Sequence, residues 1–270
     1  MKAFIIAIFF IVFSAAVQAE DLNLFVFAGQ TIMAGTGKAE DLPSDFQGPE
    51  KDVLYAARSS KKNQEPIVTG SAENPWTELQ PLNGSFGPEI AFGRTISEKL
   101  PHTPVAIVKI AAAGRSLAEN WNPEATREPR LYSEMLEFVR SAIERREKEG
   151  DTVKVAGFIW YQGEADAHNE KAAAAYKENL SRFFFRLRTD LKTPELPIVA
   201  VRIGIRQRNA GRFEPEVRAA IESVCGAGPR TAWVDVDGLS LLDGKYLDSM
   251  SELEAGKRLA TAWLRLKAEK

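Results

Sequence analysis

Thr31 stands in the stretch Phe25-Val26-Phe27-Ala28-Gly29-Gln30-Thr31-Ile32-Met33-Ala34-Gly35, where a hydrophobic run ends at a glycine and the chain turns at a hydroxyl. A hydroxyl on such a turn can attack an acyl carbonyl if three other groups are at hand: a base, an acid that orients the base, and donors for the oxyanion. Backbone N–H groups at the turn, the Gly114 N–H and the Gln162 amide are candidate donors, and Asp243 is the candidate acid. The base is the difficulty. The residue three after Asp243 is Tyr246, and a neutral phenol does not take and return a proton near pH 7 as imidazole does. Only two histidines exist, His102 and His168. His168 lies four residues beyond Glu164 on a loop expected to reach the same place, either as a substitute base or as a solvated loop residue. His102, in Leu-Pro-His-Thr-Pro, is expected on the surface at the opposite end of a strand. Glu164 and Asp166 could activate water as a carboxylate pair, although bracing of the loop by Glu164 is the simpler reading.

Positioning these groups requires strands that end together. Five apolar, β-branched runs occur at residues 22–27, 104–111, 155–161, 196–203 and 231–236, and near-continuous apolarity bounded by Gly or Pro is how strands buried on both faces of a parallel sheet read. Helical patterns lie between them. Tyr176, Leu180, Phe183, Phe184, Leu187 and Leu191 fall on one helical face, and Leu131, Met135, Phe138, Val139 and Ala142 on another, with Gly150 as a stop. Ser251-Glu252-Leu253-Glu254 fits a capping box opening a last helix. Alternation of this kind predicts a single doubly wound α/β sandwich. The segments after the strands then converge on one crevice at the carboxyl ends of the sheet. They carry Gln30 and Thr31, then Gly114 with Trp121, then Gln162 and Glu164, and last Asp243 with Tyr246. Trp121 and Trp160 qualify equally as core and as sugar platforms. The stretch from Lys38 to Phe86 shows no clear periodicity and reads as a long surface excursion. A nucleotide loop is a rival for the first segment, but Gly29, Gly35 and Gly37 match neither phosphate-binding spacing.

The chain of 270 residues opens with Lys2, an apolar run from Ala3 to Phe13 and Val17-Gln18-Ala19, which together read as a secretory leader cleaved after about Ala19; the competing reading is an uncleaved anchor. Residues 20–270 are then one domain, exported to the periplasm or the medium, with no later membrane span expected. A net charge of −2 gives no electrostatic footprint for nucleic acid. Cys225 is the only cysteine and reads as a buried small residue rather than a nucleophile. With two histidines and one cysteine, no metal site and no cofactor is expected.

The sequence resembles the sialate O-acetylesterase-like family, carbohydrate acetylesterases of the SGNH-hydrolase fold. The segments that carry the resemblance, in order along nearly all of residues 20–270, are Gly29-Gln30-Thr31-Ile32-Met33-Ala34-Gly35, Gly87-Pro88-Glu89, Ala113-Gly114-Arg115-Ser116 ahead of Trp121, Trp160-Tyr161-Gln162-Gly163-Glu164-Ala165-Asp166 and Asp243-Gly244-Lys245-Tyr246. The resemblance implies a three-layer α/β/α, flavodoxin-like sandwich on a parallel five-stranded sheet. It implies a Ser nucleophile in the first segment and Asp and His in the last, positions held here by Thr31, Asp243 and Tyr246. Gly114 and Gln162 match oxyanion positions, and Gln30 and Glu164 belong with the substrate-binding set. Ile32 replaces the Asn that follows the Ser. Two functions follow as expectations. One is an exported ester hydrolase acting on acetylated carbohydrate, with chemistry reduced by these substitutions; the other is a non-catalytic relative that binds a glycan or a protein in the old crevice.

Overall fold

The computed structural model describes residues 21–61, 65–205 and 210–269. The expected leader, residues 1–19, lies outside them. In chain order the strands are β1 (Asp21–Gly29), β2 (Gly37–Lys38), β3 (Glu50–Ser60), β4 (Ile67–Val68), β5 (Thr77–Leu79), β6 (Ser85–Phe86), β7 (Val105–Ala112), β8 (Thr152–Tyr161), β9 (Ile198–Arg202), β10 (Thr231–Asp235), β11 (Leu241–Leu242) and β12 (Tyr246–Leu247). The helices are α1 (Thr31–Ala34), α2 (Glu89–Lys99), α3 (Leu131–Lys148), α4 (Glu170–Ala174), α5 (Tyr176–Asp190), α6 (Glu214–Ala227) and α7 (Ser249–Ala268).

All five apolar runs form parallel strands of one sheet, ordered β10-β9-β8-β1-β7-β3-β4. The supposed excursion from Lys38 to Phe86 is corrected by β3, which pairs parallel with β7 from Val53↔Val105 to Ser60↔Ala112 and makes a sixth parallel strand. Its apolar centre is short, Val53 to Ala57, and is flanked by Lys51-Asp52 and Arg58, so the charged ends hide the period in the sequence. Yet Val53, Tyr55, Ala56 and Ala57 are fully buried. β4 and β5 pair antiparallel with β3 and close that side.

Helices cover both faces. Phe25 and Phe27 of β1 meet Phe92 of α2 edge to face at 5.0 Å, and Phe25 meets Trp263 of α7 at 4.7 Å. On the other face Trp160 of β8 lies 4.6 Å from Phe183 of α5, which also meets Tyr132 of α3 at 5.6 Å. Trp121 and Trp160 are fully buried and T-shaped at 5.3 Å, so both are core and neither is a sugar platform. Cys225 is buried too, and burial pushes its thiol up to about 12 against the pull of Arg188, which leaves it unreactive. The last helix starts three residues earlier than the capping box predicts. Asp248 is the N-cap, its side chain accepting from the Ser251 N–H at 2.8 Å, while Glu254 pairs forward with Arg258. No helix among the described residues is long and apolar enough to cross a membrane.

β1 is central, with β7 on one side and β8 on the other. The chain therefore leaves the sheet in opposite directions around the carboxyl end of β1, which opens a crevice there. Gly29 makes the exit possible, because a Cβ at that position would lie 2.0 Å from the Tyr161 carbonyl oxygen.

Candidate active site

The crevice has a volume of about 580 Å³. Its floor is the turn after β1, its sides are the loops after β3, β7 and β8, and its rim is the β11–β12 hairpin. Gln30, Thr31, Gly114, Glu164 and Tyr246 all line it, as does His168. Topology thus brings together residues up to 216 positions apart along the chain.

Thr31 is the half-buried first residue of the one-turn helix α1. Gln30 anchors the turn: its N–H donates to the Tyr161 carbonyl at 3.0 Å and its carbonyl accepts from the Ala34 N–H at 2.7 Å. The N–H groups at the start of α1 have no intrahelical acceptor, so they remain available to a bound oxyanion beside the Thr31 hydroxyl. Gly114 faces them from the β7 loop with φ 71°, and a Cβ there would touch nothing within 4 Å. Glycine is needed at this position for its left-handed backbone rather than for space.

Two candidate residues sit elsewhere than the sequence suggests. Gln162 is completely buried beneath the crevice and does not line it. Its two amide hydrogens are committed to Asp166 Oδ2 at 2.6 Å and the Arg115 carbonyl at 3.1 Å, while its Oε1 accepts from the Tyr176 hydroxyl at 3.0 Å. It holds the Gly114 loop instead of donating to a substrate. Asp166 completes that brace by accepting from the Leu117 and Ala118 N–H groups at 2.9 and 3.0 Å. Burial raises the Asp166 pKa, and the hydrogen bonds from Gln162, Leu117 and Ala118 offset this only in part. Asp166 thus braces the Gly114 loop, and Glu164 is a buried wall of the crevice.

Asp243 is the larger departure. It occupies the exposed tip of the β11–β12 hairpin and does not line the crevice. Asp243 and Gly244 have φ values of 58° and 64°, and the Lys245 N–H donates to the Leu242 carbonyl at 3.1 Å. An Asp-Gly pair with both residues left-handed is a hairpin-turn solution, so the local backbone explains Asp243 without any catalytic role. Tyr246 does face the crevice, with Lys245 Nζ 4.5 Å from its ring centroid.

Three lining residues were not singled out from the sequence. Lys61 follows β3 and donates to Ser85 Oγ at 2.9 Å; it was missed together with its strand. Lys245 enters from the hairpin. Thr36 ties the floor to the hairpin and to α7, with Oγ1 2.8 Å from the Leu247 carbonyl oxygen and 2.7 Å from Glu252 Oε1. Behind this floor, Lys109 Nζ and Glu89 Oε1 form a 2.6 Å ion pair between fully buried side chains. Glu89 Oε1 also accepts from the Gly87 N–H at 3.1 Å, which accounts for the Gly87-Pro88-Glu89 segment as scaffold. Among the described residues, no group of three or more His, Cys, Asp or Glu side chains is placed to hold a metal ion.

Comparison with known proteins places this geometry. The sequence pattern of the family described as "Carbohydrate esterase, sialic acid-specific acetylesterase" matches residues 21–265. A probable carbohydrate esterase of Arabidopsis thaliana is 27% identical over 254 residues, covering 90% of each chain. Among solved structures, an Arabidopsis thaliana protein superposes with a TM-score of 0.71 at 24% identity, covering 91% of this chain and 98% of its own. A carbohydrate acetylesterase from Xanthomonas citri superposes with a TM-score of 0.69 at 17% identity, covering 92% of this chain and 57% of its own.

Proposed function

Because the chain belongs to the sialic acid-specific acetylesterase family of carbohydrate esterases, we propose that its crevice receives an acylated carbohydrate and hydrolyses the ester slowly through Thr31. The observation that carries this reading is the composition of one crevice: Thr31, Gly114, Glu164 and His168 line it together with Tyr246, while Asp243 lies outside it. A hydroxyl and oxyanion donors are retained, and the acid of the relay is not. In this reading the Thr31 Oγ1 attacks the ester carbonyl and its proton passes to the imidazole of His168, the only histidine in the crevice. The imidazolium returns that proton to the departing sugar oxygen. Water then cleaves the acyl-threonine by the same route, releasing the acid and restoring the hydroxyl. His168 is exposed, and among the described residues no carboxylate forms an ion pair with it that would hold its tautomer. A positioned base contributes about 10²- to 10⁴-fold, and an unpositioned one correspondingly less.

The second reading, binding without hydrolysis, is favoured by Asp243 at the hairpin tip and by Tyr246 in the crevice. Hydrolysis of an activated aryl acetate by the purified chain separates the two. Activity that disappears in both Thr31→Ala and His168→Ala supports the proposed route. A chain no faster than Thr31→Ala, yet still binding acetylated sugar, establishes the second reading.

Residues 1–19 serve in this proposal as a leader for export, leaving 20–270 as the mature domain. The mass of protein recovered outside the cytoplasm would begin at Glu20; a product still carrying Met1 would overturn it.

A further inference from the structure

A second cavity of about 120 Å³ adjoins the crevice, and the two share Ile32, Glu164 and Lys245 as walls. Ile32 immediately follows Thr31, so a group bonded to a carbonyl at Thr31 has the mouth of this cavity beside it. The remaining walls include Val236, Leu239, Leu241 and Leu247, all from the segment between β10 and α7. Asp237 also borders the cavity, but its carboxylate is engaged by Arg218 and Arg202 and accepts from the Ile205 N–H. The Asp237 carboxylate is therefore already satisfied within the protein, and behind a mouth that carries Glu164 and Lys245 the aliphatic walls favour an apolar occupant.

We propose that this cavity is an acyl-chain pocket, and that Ile32 and Leu239 set a preference for short straight-chain acyl esters of about four carbons over acetyl esters. The inference rests on the reading of the Thr31 crevice as an acyl-ester site. A volume of about 120 Å³ equals about four water-sized volumes. An acetyl methyl leaves most of it unfilled, and two further methylenes occupy it. Burial of one methylene raises affinity about fourfold, so a butyryl group gains about 15-fold over acetyl.

The test uses neutral amides in place of esters, so that pocket occupancy is read without turnover. The mature chain is labelled at isoleucine δ1 methyls, and acetamide, propionamide and butyramide are titrated while the Ile32 signal is followed. The midpoint is expected to fall about fourfold per methylene. Leu239→Phe should remove that gain, bringing the butyramide midpoint to that of acetamide. Leu239→Ala, a half-buried truncation that does not overpack the fold, should extend the gain to hexanamide. Equal midpoints for acetamide and butyramide, or an Ile32 signal unmoved by any amide, would overturn the pocket. Aryl acetate and aryl butyrate hydrolysis by the parent and by Thr31→Ala are measured alongside. Absence of Thr31-dependent turnover overturns the esterase reading, while the amide titration still decides the pocket.

Discussion

Thr36 Oγ1 lies within 2.8 Å of two acceptors, Glu252 Oε1 and the Leu247 carbonyl oxygen, although its hydroxyl carries one hydrogen. The count closes when Glu252 is protonated and donates to Thr36, which then donates to Leu247. Glu252 is fully buried, and burial raises its pKa well above the usual carboxylate value; Glu89 adds to the rise, and Thr36 and Lys109 oppose it. A raised folded-state pKa places the stability contribution below the unfolded pKa and removes it as pH rises through the folded one. Across that window stability should fall by about 1.4 kcal/mol per pH unit. Denaturant midpoints measured from pH 5 to pH 10 for the parent and Glu252→Gln should diverge upward, the variant keeping stability that the parent loses. Parallel curves would show that Glu252 is ionised in the folded chain.

The Lys109–Glu89 pair sets the next expectation. Both side chains are fully buried, and Lys109 lies within β7, the strand beside β1. Removing one partner strands the other charge, so Lys109→Met should cost about 3–5 kcal/mol. Lys109→Met combined with Glu89→Gln should recover much of that loss. Chemical unfolding of the three variants gives the coupling energy, and a single variant as stable as the parent would contradict a charged pair.

The brace under the Gly114 loop predicts a separation of effects. Asp166 accepts three hydrogen bonds, two of them from the backbone of that loop. Asp166→Asn places an NH₂ where donors converge, at a cost of about 1–3 kcal/mol. Amide exchange should quicken at Leu117 and Ala118 while the α2–α7 side of the sheet keeps its protection. Uniform loss of protection would mean that Asp166 supports the whole fold.

Much of this was legible in the sequence for identifiable reasons. The five strands each carry an apolar run of six or more residues, and α3 and α5 have unbroken amphipathic periods. β3 was hidden because only its five-residue centre is apolar. The convergence of Thr31, Gly114, Glu164 and Tyr246 follows from parallel strands whose carboxyl ends share one side of the sheet, which the alternation of elements predicts. What does not follow is which way a side chain faces from a loop. Gln162 sits directly after a strand, yet its amide is drawn under the crevice by Asp166, Arg115 and Tyr176. Asp243 matches a catalytic motif, but two successive left-handed residues at the hairpin tip turn it outward.

That outward position makes Asp243 informative. Asp243→Asn keeps a residue that tolerates φ 58° and removes the charge. Both stability and any Thr31-dependent hydrolysis should be unchanged. A loss of hydrolysis in Asp243→Asn, at unchanged stability, would mean that the hairpin swings its tip into the crevice when substrate is bound.

Restoring the missing groups gives the most demanding prediction. Thr31→Ser removes a methyl beside the incoming carbonyl, and Tyr246→His puts an imidazole where a half-buried ring already faces the crevice. With Asp243 outside the crevice, the new imidazole has no carboxylate to hold its tautomer, so it should regain only part of the about 10²- to 10⁴-fold contribution of a positioned base. The double variant should therefore hydrolyse aryl acetate faster than either single variant, and their effects should exceed the sum of the separate gains in activation free energy, because nucleophile and base act as a unit. Ile32 is kept in all three, so that the acyl preference of the adjoining cavity is read with the same walls. Strictly additive single effects would show that Tyr246→His does not bring its imidazole within reach of residue 31, and that the proton acceptor must be sought on the β8 loop at His168.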